Sequence, residues 1–211
     1  MSLSLAIYNQ AWTVIDTKEL DSQLFDESRI NTSLVHEFVL MQLANARMGN
    51  AHTKDRWEVN YSNRKLFKQK GTGNARPWSL KSPLRKQGGA VFGPKNNVNH
   101  TKNMTKKARR LAILSSVIMK LSANQVIGLE SFVQDVAKTK AAKQVLNIIA
   151  PDARKHLIIL PHTDDIFYRS FRNIKWVKVI TVDYVNPYDI LTHHTVIFVG
   201  ESLDTFAQSY A

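Results

Sequence analysis

Lys68-Gln69-Lys70-Gly71-Thr72-Gly73 and, a little further on, Arg85-Lys86-Gln87-Gly88-Gly89-Ala90-Val91-Phe92-Gly93-Pro94-Lys95 decide how this chain is read. Both lie in a stretch, residues 59–100, that holds five of the chain's eight glycines and no carboxylate. Between 59 and 129 there are fifteen Lys and Arg and no Asp or Glu, and the next acid is Glu130. Such a segment repels itself. Its glycines, with Pro77, Pro83 and Pro94, interrupt every helical or strand period. Ordering a residue costs roughly 1–2 kcal/mol of backbone entropy, so about forty of them need several tens of kcal/mol from contacts that the stretch lacks. The contacts are therefore expected from outside. A partner dense in negative charge and rich in hydrogen-bond acceptors fits best, which describes nucleic acid better than an acidic protein face.

The aromatic residues sharpen that reading. Trp57, Tyr61, Phe67, Trp78 and Phe92 are interleaved with the cations, where they can stack on the bases of single-stranded or irregular RNA. A solvated, disordered linker is the bland alternative, but linkers rarely carry so many large aromatics. A disordered-arm DNA-binding protein would bind duplex DNA with equal affinity, whereas the stacking aromatics argue for folded RNA. The candidate RNA-binding side chains are Arg47, Lys54, Arg56, Arg64, Lys65, Lys68, Lys70, Arg76, Lys81, Arg85, Lys86, Lys95, Lys106, Lys107, Arg109 and Arg110, with Trp57, Phe67 and Trp78. An out-and-back excursion with limbs of about twenty residues, at roughly 3.3 Å each, places its tip at most about 65 Å from the body.

Charge is divided unevenly along the chain. Residues 44–110 carry seventeen basic and two acidic side chains, and the remainder twelve against fifteen, which together give the net +12. A near-neutral α/β globular domain, residues 1–48 and 101–211, carrying an inserted basic arm, residues 49–100, explains this better than a uniformly basic fold. Cysteine is absent, which excludes disulfides and thiolate metal sites. The start lacks a charged region before an apolar run, and no run reaches a membrane span, so the chain reads as soluble and intracellular, with no membrane partner.

Leu3, Leu5 and Ile7 alternate with small or polar neighbours, and 13–15 follows a turn, so the chain should open with a short strand or hairpin. Asn31-Thr32-Ser33 offers caps for a helix bearing Leu34, Val35, Phe38 and Met41, with Gly49 as its stop. Thr105 is placed to cap a second helix with Leu111, Leu114, Ile118 and Leu121 on one face. Lys106, Lys107, Arg109 and Arg110 crowd its start, where the helix dipole is already positive, and an external anion would relieve the conflict. Strands are expected at 126–129, 157–160, 177–180 and 196–199, and helical segments at 139–149, 164–172, 187–191 and 203–208. Short apolar runs separated by helices predict a mostly parallel sheet with helices on both faces.

No catalytic, cofactor or metal constellation emerges. Gly71-Thr72-Gly73-Asn74-Ala75-Arg76 lacks the third glycine and the preceding strand of a dinucleotide fingerprint, and no Walker-type ending follows. Asp164 and Asp165 open a helix, where capping accounts for them. His193 and His194 are adjacent and poorly disposed for one metal, and read as surface or loop residues. Ser115 and Ser116 lie inside an amphipathic helix without a nucleophile elbow. An RNA-modifying α/β enzyme with a basic lid is the competing reading, and it requires a pocket at the carboxyl ends of the parallel strands.

Several blocks resemble, in order, the bacterial form of the universal large-subunit ribosomal protein L-four family. These are Gln42-Leu43-Ala44-Asn45-Ala46-Arg47 and Thr53-Lys54, then Lys68-Gln69-Lys70-Gly71-Thr72-Gly73 with Ala75-Arg76, then Ser82-Pro83 and Gly88 through Lys95, and finally Lys106-Lys107 with Arg109-Arg110-Leu111-Ala112. Pro151, Asn173 and Asp189 sit in surroundings similar to the family's α/β half. The resemblance implies a cytoplasmic structural constituent of the large ribosomal subunit, without cofactor. Its partners would be large-subunit ribosomal RNA, the L-twenty-two family protein at the constriction of the nascent-peptide exit tunnel, and the nascent polypeptide. It implies that Gln69, Lys70, Gly71, Thr72 and Gly73 form the tunnel-lining tip, close to where macrolides bind, and that the protein supports subunit assembly. Some family members also repress their own operon by binding its messenger leader. The chain departs from the family at 61–67, Asn74, Pro77-Trp78 and Arg85-Lys86-Gln87, where Phe67 and Trp78 partly restore bulk that relatives carry as Trp elsewhere.

Overall fold

A computed structural model describes residues 4–9, 13–132, 136–149 and 155–210. Leu3 of the expected first strand and Pro151 lie outside the described residues. Six strands share one sheet in the order β2-β1-β3-β6-β4-β5. They are β1 Ser4–Tyr8, β2 Val14–Glu19, β3 Val126–Leu129, β4 His156–Leu160, β5 Val177–Thr181 and β6 Thr195–Val199. The opening hairpin β1-β2 is antiparallel, and every other pairing is parallel.

The buried runs explain why the sheet is covered twice. All five residues of β4 and of β6 are buried. Successive strand side chains point to opposite faces, so Leu157, Ile159, Val196 and Phe198 enter one apolar cluster while Ile158, Leu160, Ile197 and Val199 enter the other. The first cluster is completed by α1 (Thr32–Ala46), α2 (Lys106–Ser122), α5 (Pro187–Thr192) and α6 (Ser202–Tyr210). The second is completed by α3 (Thr139–Ile149) and α4 (Asp165–Phe171), where Phe132, Phe167 and Phe171 pack with ring centroids 4.4–5.4 Å apart. Phe171, Phe198 and Phe206 are among the largest fully buried side chains, each worth about 1.5–3 kcal/mol in transfer from water.

Caps fix the helix entries. Asn31 Oδ1 accepts from Leu34 N at 3.0 Å. Asp164 Oδ1 accepts from Ile166 N and Phe167 N at 2.9 and 3.2 Å, which gives that carboxylate its structural use. Asn186 caps α5 and also donates to Asp189 Oδ2, whose carboxylate is buried against Lys178 at 2.6 Å. Thr105 occupies the N-cap position of α2, but its side chain makes no capping bond.

Two expectations are corrected. The helix α1 ends at Ala46, three residues before Gly49; a Cβ at Gly49 would lie 2.8 Å from Val98 O, so close backbone approach rather than helix termination accounts for this glycine. His193 is buried rather than a surface residue. It closes α5, its Nδ1 lies 2.6 Å from Asp189 O, and burial pushes its pKa down despite that contact.

The chain divides into two compact units, Met1–Gln42 with Asn103–Ala211, and Leu43–Lys102. Among the described residues, no helix is long and apolar enough to cross a membrane.

Candidate nucleic-acid interface

Beyond the end of α1, the Leu43–Lys102 unit contains neither helix nor strand. Two passages of chain meet at its base through backbone bonds: Thr53 N to Pro94 O at 2.9 Å, Ala90 N to Lys54 O at 2.9 Å, and Gly89 N to Lys81 O at 3.1 Å. Gly89 runs so close to the other passage that a Cβ would sit 2.2 Å from Arg56 N, and at Gly88 one would sit 1.9 Å from Ser82 O. These two glycines therefore serve the loop's own packing.

The expectation that every ordering contact comes from outside is corrected accordingly. Hydrogen bonds organise the base, although the apolar support is thin. In this unit, all of whose residues are described, only Val59, Ser79 and Gly89 are buried.

The unit's two carboxylates are engaged within the loop: Asp55 Oδ1 accepts from Arg56 N at 2.6 Å. Glu58 Oε2 accepts from Asp55 N and from Lys95 Nζ, each at 2.9 Å, and lies 3.2 Å from His52 Nε2. The Lys95 ammonium, helped by the Asp55 N–H, holds the Glu58 carboxyl down to about 2. Lys95 also donates to Thr53 O at 3.3 Å, so this cation is committed within the loop although its residue type placed it among the RNA contacts. Sequence reasoning missed the roles of His52, Asp55 and Glu58. The available signal was that Asp55 and Glu58 are the only acids in residues 44–110.

The other cations of the unit are free of carboxylates. Arg47, Lys54, Arg56, Arg64, Lys68, Lys70, Arg76, Lys86 and Lys102 are exposed, Lys65, Lys81 and Arg85 are half-buried, and none pairs with an acid among the described residues. Trp57, Phe67, Trp78 and Phe92 expose large parts of their rings. The Arg56 guanidinium lies 4.9 Å from the Trp57 ring centre, and the Lys65 ammonium lies 4.9 Å from that of Trp78. Such cation–π contacts hold positive charge beside a stackable face. Arg64, Lys65, Phe67 and Lys68 line a depression of about 440 Å³. Gln69, Lys70, Gly71, Thr72 and Gly73 are all exposed, and Gln69 accepts a hydrogen bond from Lys65.

In the other unit, Lys106, Lys107, Arg109 and Arg110 are exposed at the start of α2. Its first turn contains no acid, and none of the four pairs with a carboxylate among the described residues. The clash with the helix dipole anticipated from the sequence is therefore present, with no carboxylate among the described residues to compensate it.

A depression of about 370 Å³ does lie at the carboxyl ends of β4 and β5, lined by Leu160, Asp164, Asp165, Tyr168, Thr181 and Tyr184 among others. One of its two carboxylates is the α4 cap. Among the described residues, no group of three His, Cys, Asp or Glu is placed to hold a metal ion.

The fold and the site together define a class of α/β protein that carries a carboxylate-poor basic loop with exposed aromatics. Within that class the chain belongs to the ribosomal protein L4/L1 family, whose model matches residues 18–209. It is 37% identical over 182 residues to the large ribosomal subunit protein uL4 of Clostridium novyi, covering 86% of this chain and 87% of that protein. Against the uL4 of Halothermothrix orenii, identity is 37% over 199 residues, 94% of each chain. Against that of Lachnospira eligens it is 34% over 208 residues, 99% of each. Membership makes this a structural protein and not an enzyme, so the reading as an RNA-modifying enzyme falls.

Proposed function

We propose that this chain, with its family's structural role in the large ribosomal subunit, binds large-subunit ribosomal RNA through a basic arm, residues 49–100, and the start of α2. The observation that carries the reading is the set of cations without a carboxylate partner among the described residues: twelve in the Leu43–Lys102 unit and four at the head of α2. Unpaired cations at close spacing repel one another, and phosphates remove that repulsion while releasing counterions. Exposed Trp57, Phe67 and Trp78 add faces on which unpaired bases stack. RNA contact would in turn order a loop that has almost no core of its own, so binding and subunit assembly support one another.

In the cytoplasmic ribosome, the exposed tip Gln69, Lys70, Gly71, Thr72 and Gly73 would line the nascent-peptide exit tunnel. There it would lie beside the L-twenty-two family protein and the nascent polypeptide. The φ values of Gly71 and Gly73, +78° and +65°, give the tip a tight turn that side-chain-bearing residues adopt poorly. The test is sedimentation of tagged full-length protein and of a variant lacking residues 62–94 with ribosomal particles. The full-length chain should enter large subunits, and the deletion should enter them far less. Equal incorporation of the two would overturn the arm's role.

A further inference from the structure

Trp176 is a strongly exposed aromatic residue of the globular unit. It joins α4 to β5 and is 54% exposed, outside both apolar clusters. Its φ is +70°, the left-handed region that a bulky side chain enters only at a cost. Its carbonyl accepts from His156 N at 3.0 Å, which ties this backbone to the first residue of β4. Residues held in such sparsely populated backbone conformations cluster at functional sites.

Two cations flank the ring. Lys155 Nζ lies 5.2 Å and Lys175 Nζ 5.0 Å from its centre. Lys175 also lines a neighbouring depression of about 470 Å³ together with Lys140, Lys143 and Asn173. None of these four lysines pairs with a carboxylate among the described residues. An aromatic face therefore adjoins a lysine-lined hollow, the combination that grips an unpaired nucleotide by its base and its phosphate at once.

We propose that Trp176 and the Lys140–Lys143–Lys175 hollow form a second single-stranded RNA site, built into the globular unit. An unpaired base stacks on the indole and displaces one ammonium from the ring, and that ammonium moves to the nucleotide's phosphate. The hollow's other lysines take the adjoining phosphates. The site rests on the RNA-binding reading of the chain but uses none of the residues assigned to the arm or to α2.

The test measures binding of a fluorescein-labelled ten-nucleotide oligouridylate and a ten-base-pair RNA duplex to the full-length chain. It is made in the wild type and with Lys106, Lys107, Arg109 and Arg110 changed to Glu. Trp176→Gly should weaken oligouridylate binding roughly tenfold, the usual loss for one stacked base, in both backgrounds and with little effect on the duplex. Glycine takes the +70° backbone without strain, so the thermal midpoint should hold while affinity falls, and Trp176→Phe should retain most of the binding. Lys140→Ala with Lys143→Ala, both exposed on α3, should weaken binding several-fold without touching the ring.

Unchanged oligouridylate affinity in Trp176→Gly, an equal loss for duplex, or competition by polyglutamate as strong as by RNA would overturn the site. If the α2 reversal lowers RNA binding while Trp176→Gly does not, the RNA-binding reading of the chain stands and this site falls. A wild-type chain that binds neither RNA would overturn both.

Discussion

Reversing Lys106, Lys107, Arg109 and Arg110 to Glu should move stability and RNA affinity in opposite directions. All four cations are exposed, α2 has no acid in its first turn, and Thr105 adds no capping bond. A charge near the end of an exposed helix is worth about 0.3–1 kcal/mol through the dipole. Replacing the first-turn Lys106 and Lys107 by acids removes two unfavourable interactions and adds favourable ones. The free protein should gain about 1 kcal/mol, which for a chain of this size raises the thermal midpoint by about 2–4 °C.

RNA affinity should fall at the same time. Each single-strand phosphate contact contributes about 0.7 to the slope of log K against log salt, and a duplex contact about 0.9. Losing four contacts should therefore flatten the slope by about 3. Calorimetry on the free variant and a salt titration of RNA binding supply the two numbers. A lower midpoint would show that the cations serve the fold, and an unchanged slope would place the phosphate contacts elsewhere.

Gly89→Ala should open the loop base. Its Cβ would lie 2.2 Å from Arg56 N, and overpacking of this kind costs about 1–3 kcal/mol; exchange of the Ala90 amide, bonded to Lys54 O, should speed up by about ten- to a hundredfold, and unchanged exchange would refute the close approach. The Glu58 carboxyl should titrate near 2 by NMR and return toward 4.5 in Lys95→Ala, since the Lys95 ammonium is the main cause of the depression. Because the folded pKa is lowered, this contact supports the loop above about pH 4.5 and is lost as pH falls through 2, so amide exchange at the loop base should accelerate in that window; a Glu58 midpoint near 4.5 in the unaltered protein would contradict the clasp. Deleting residues 62–94 should leave cooperative unfolding of the globular unit intact, because neither apolar cluster contains a residue of that segment; loss of the cooperative transition would refute this separation.

Much of the α/β unit was legible because its signals are local. The apolar runs at β4 and β6 are too short and too continuous for surface helices, and their residues do alternate between two clusters. Asn31 and Asp164 are caps recognisable by residue type and position. The misplacements arose where a long-range contact decides the outcome. Gly49 resembles a helix stop, but Val98 O, far along the chain, sets its place. His193 reads as a surface or loop residue, and it does lie in the loop between α5 and β6, but that loop carries it into a buried position.

The same holds for the candidate interface. The excess of cations was visible in the composition, as was the conflict at the start of α2. The folding of the loop base was not, because Thr53, Lys54, Gly89 and Pro94 meet across some forty residues of chain, and no periodicity reports such a crossing. Lys95 shows the limit most plainly, since its residue type gives a free cation while Glu58 and Thr53 O hold it inside the loop.

We propose that the tip of the arm reaches the exit tunnel. The most direct measurement is crosslinking from a photoreactive group at Lys70, an exposed tip residue, in large subunits carrying a stalled nascent chain. Crosslinks to tunnel RNA or to the nascent chain are the predicted result. Incorporation of the protein with Lys70 crosslinking only to solvent-side RNA, or to nothing, would contradict the threaded arm.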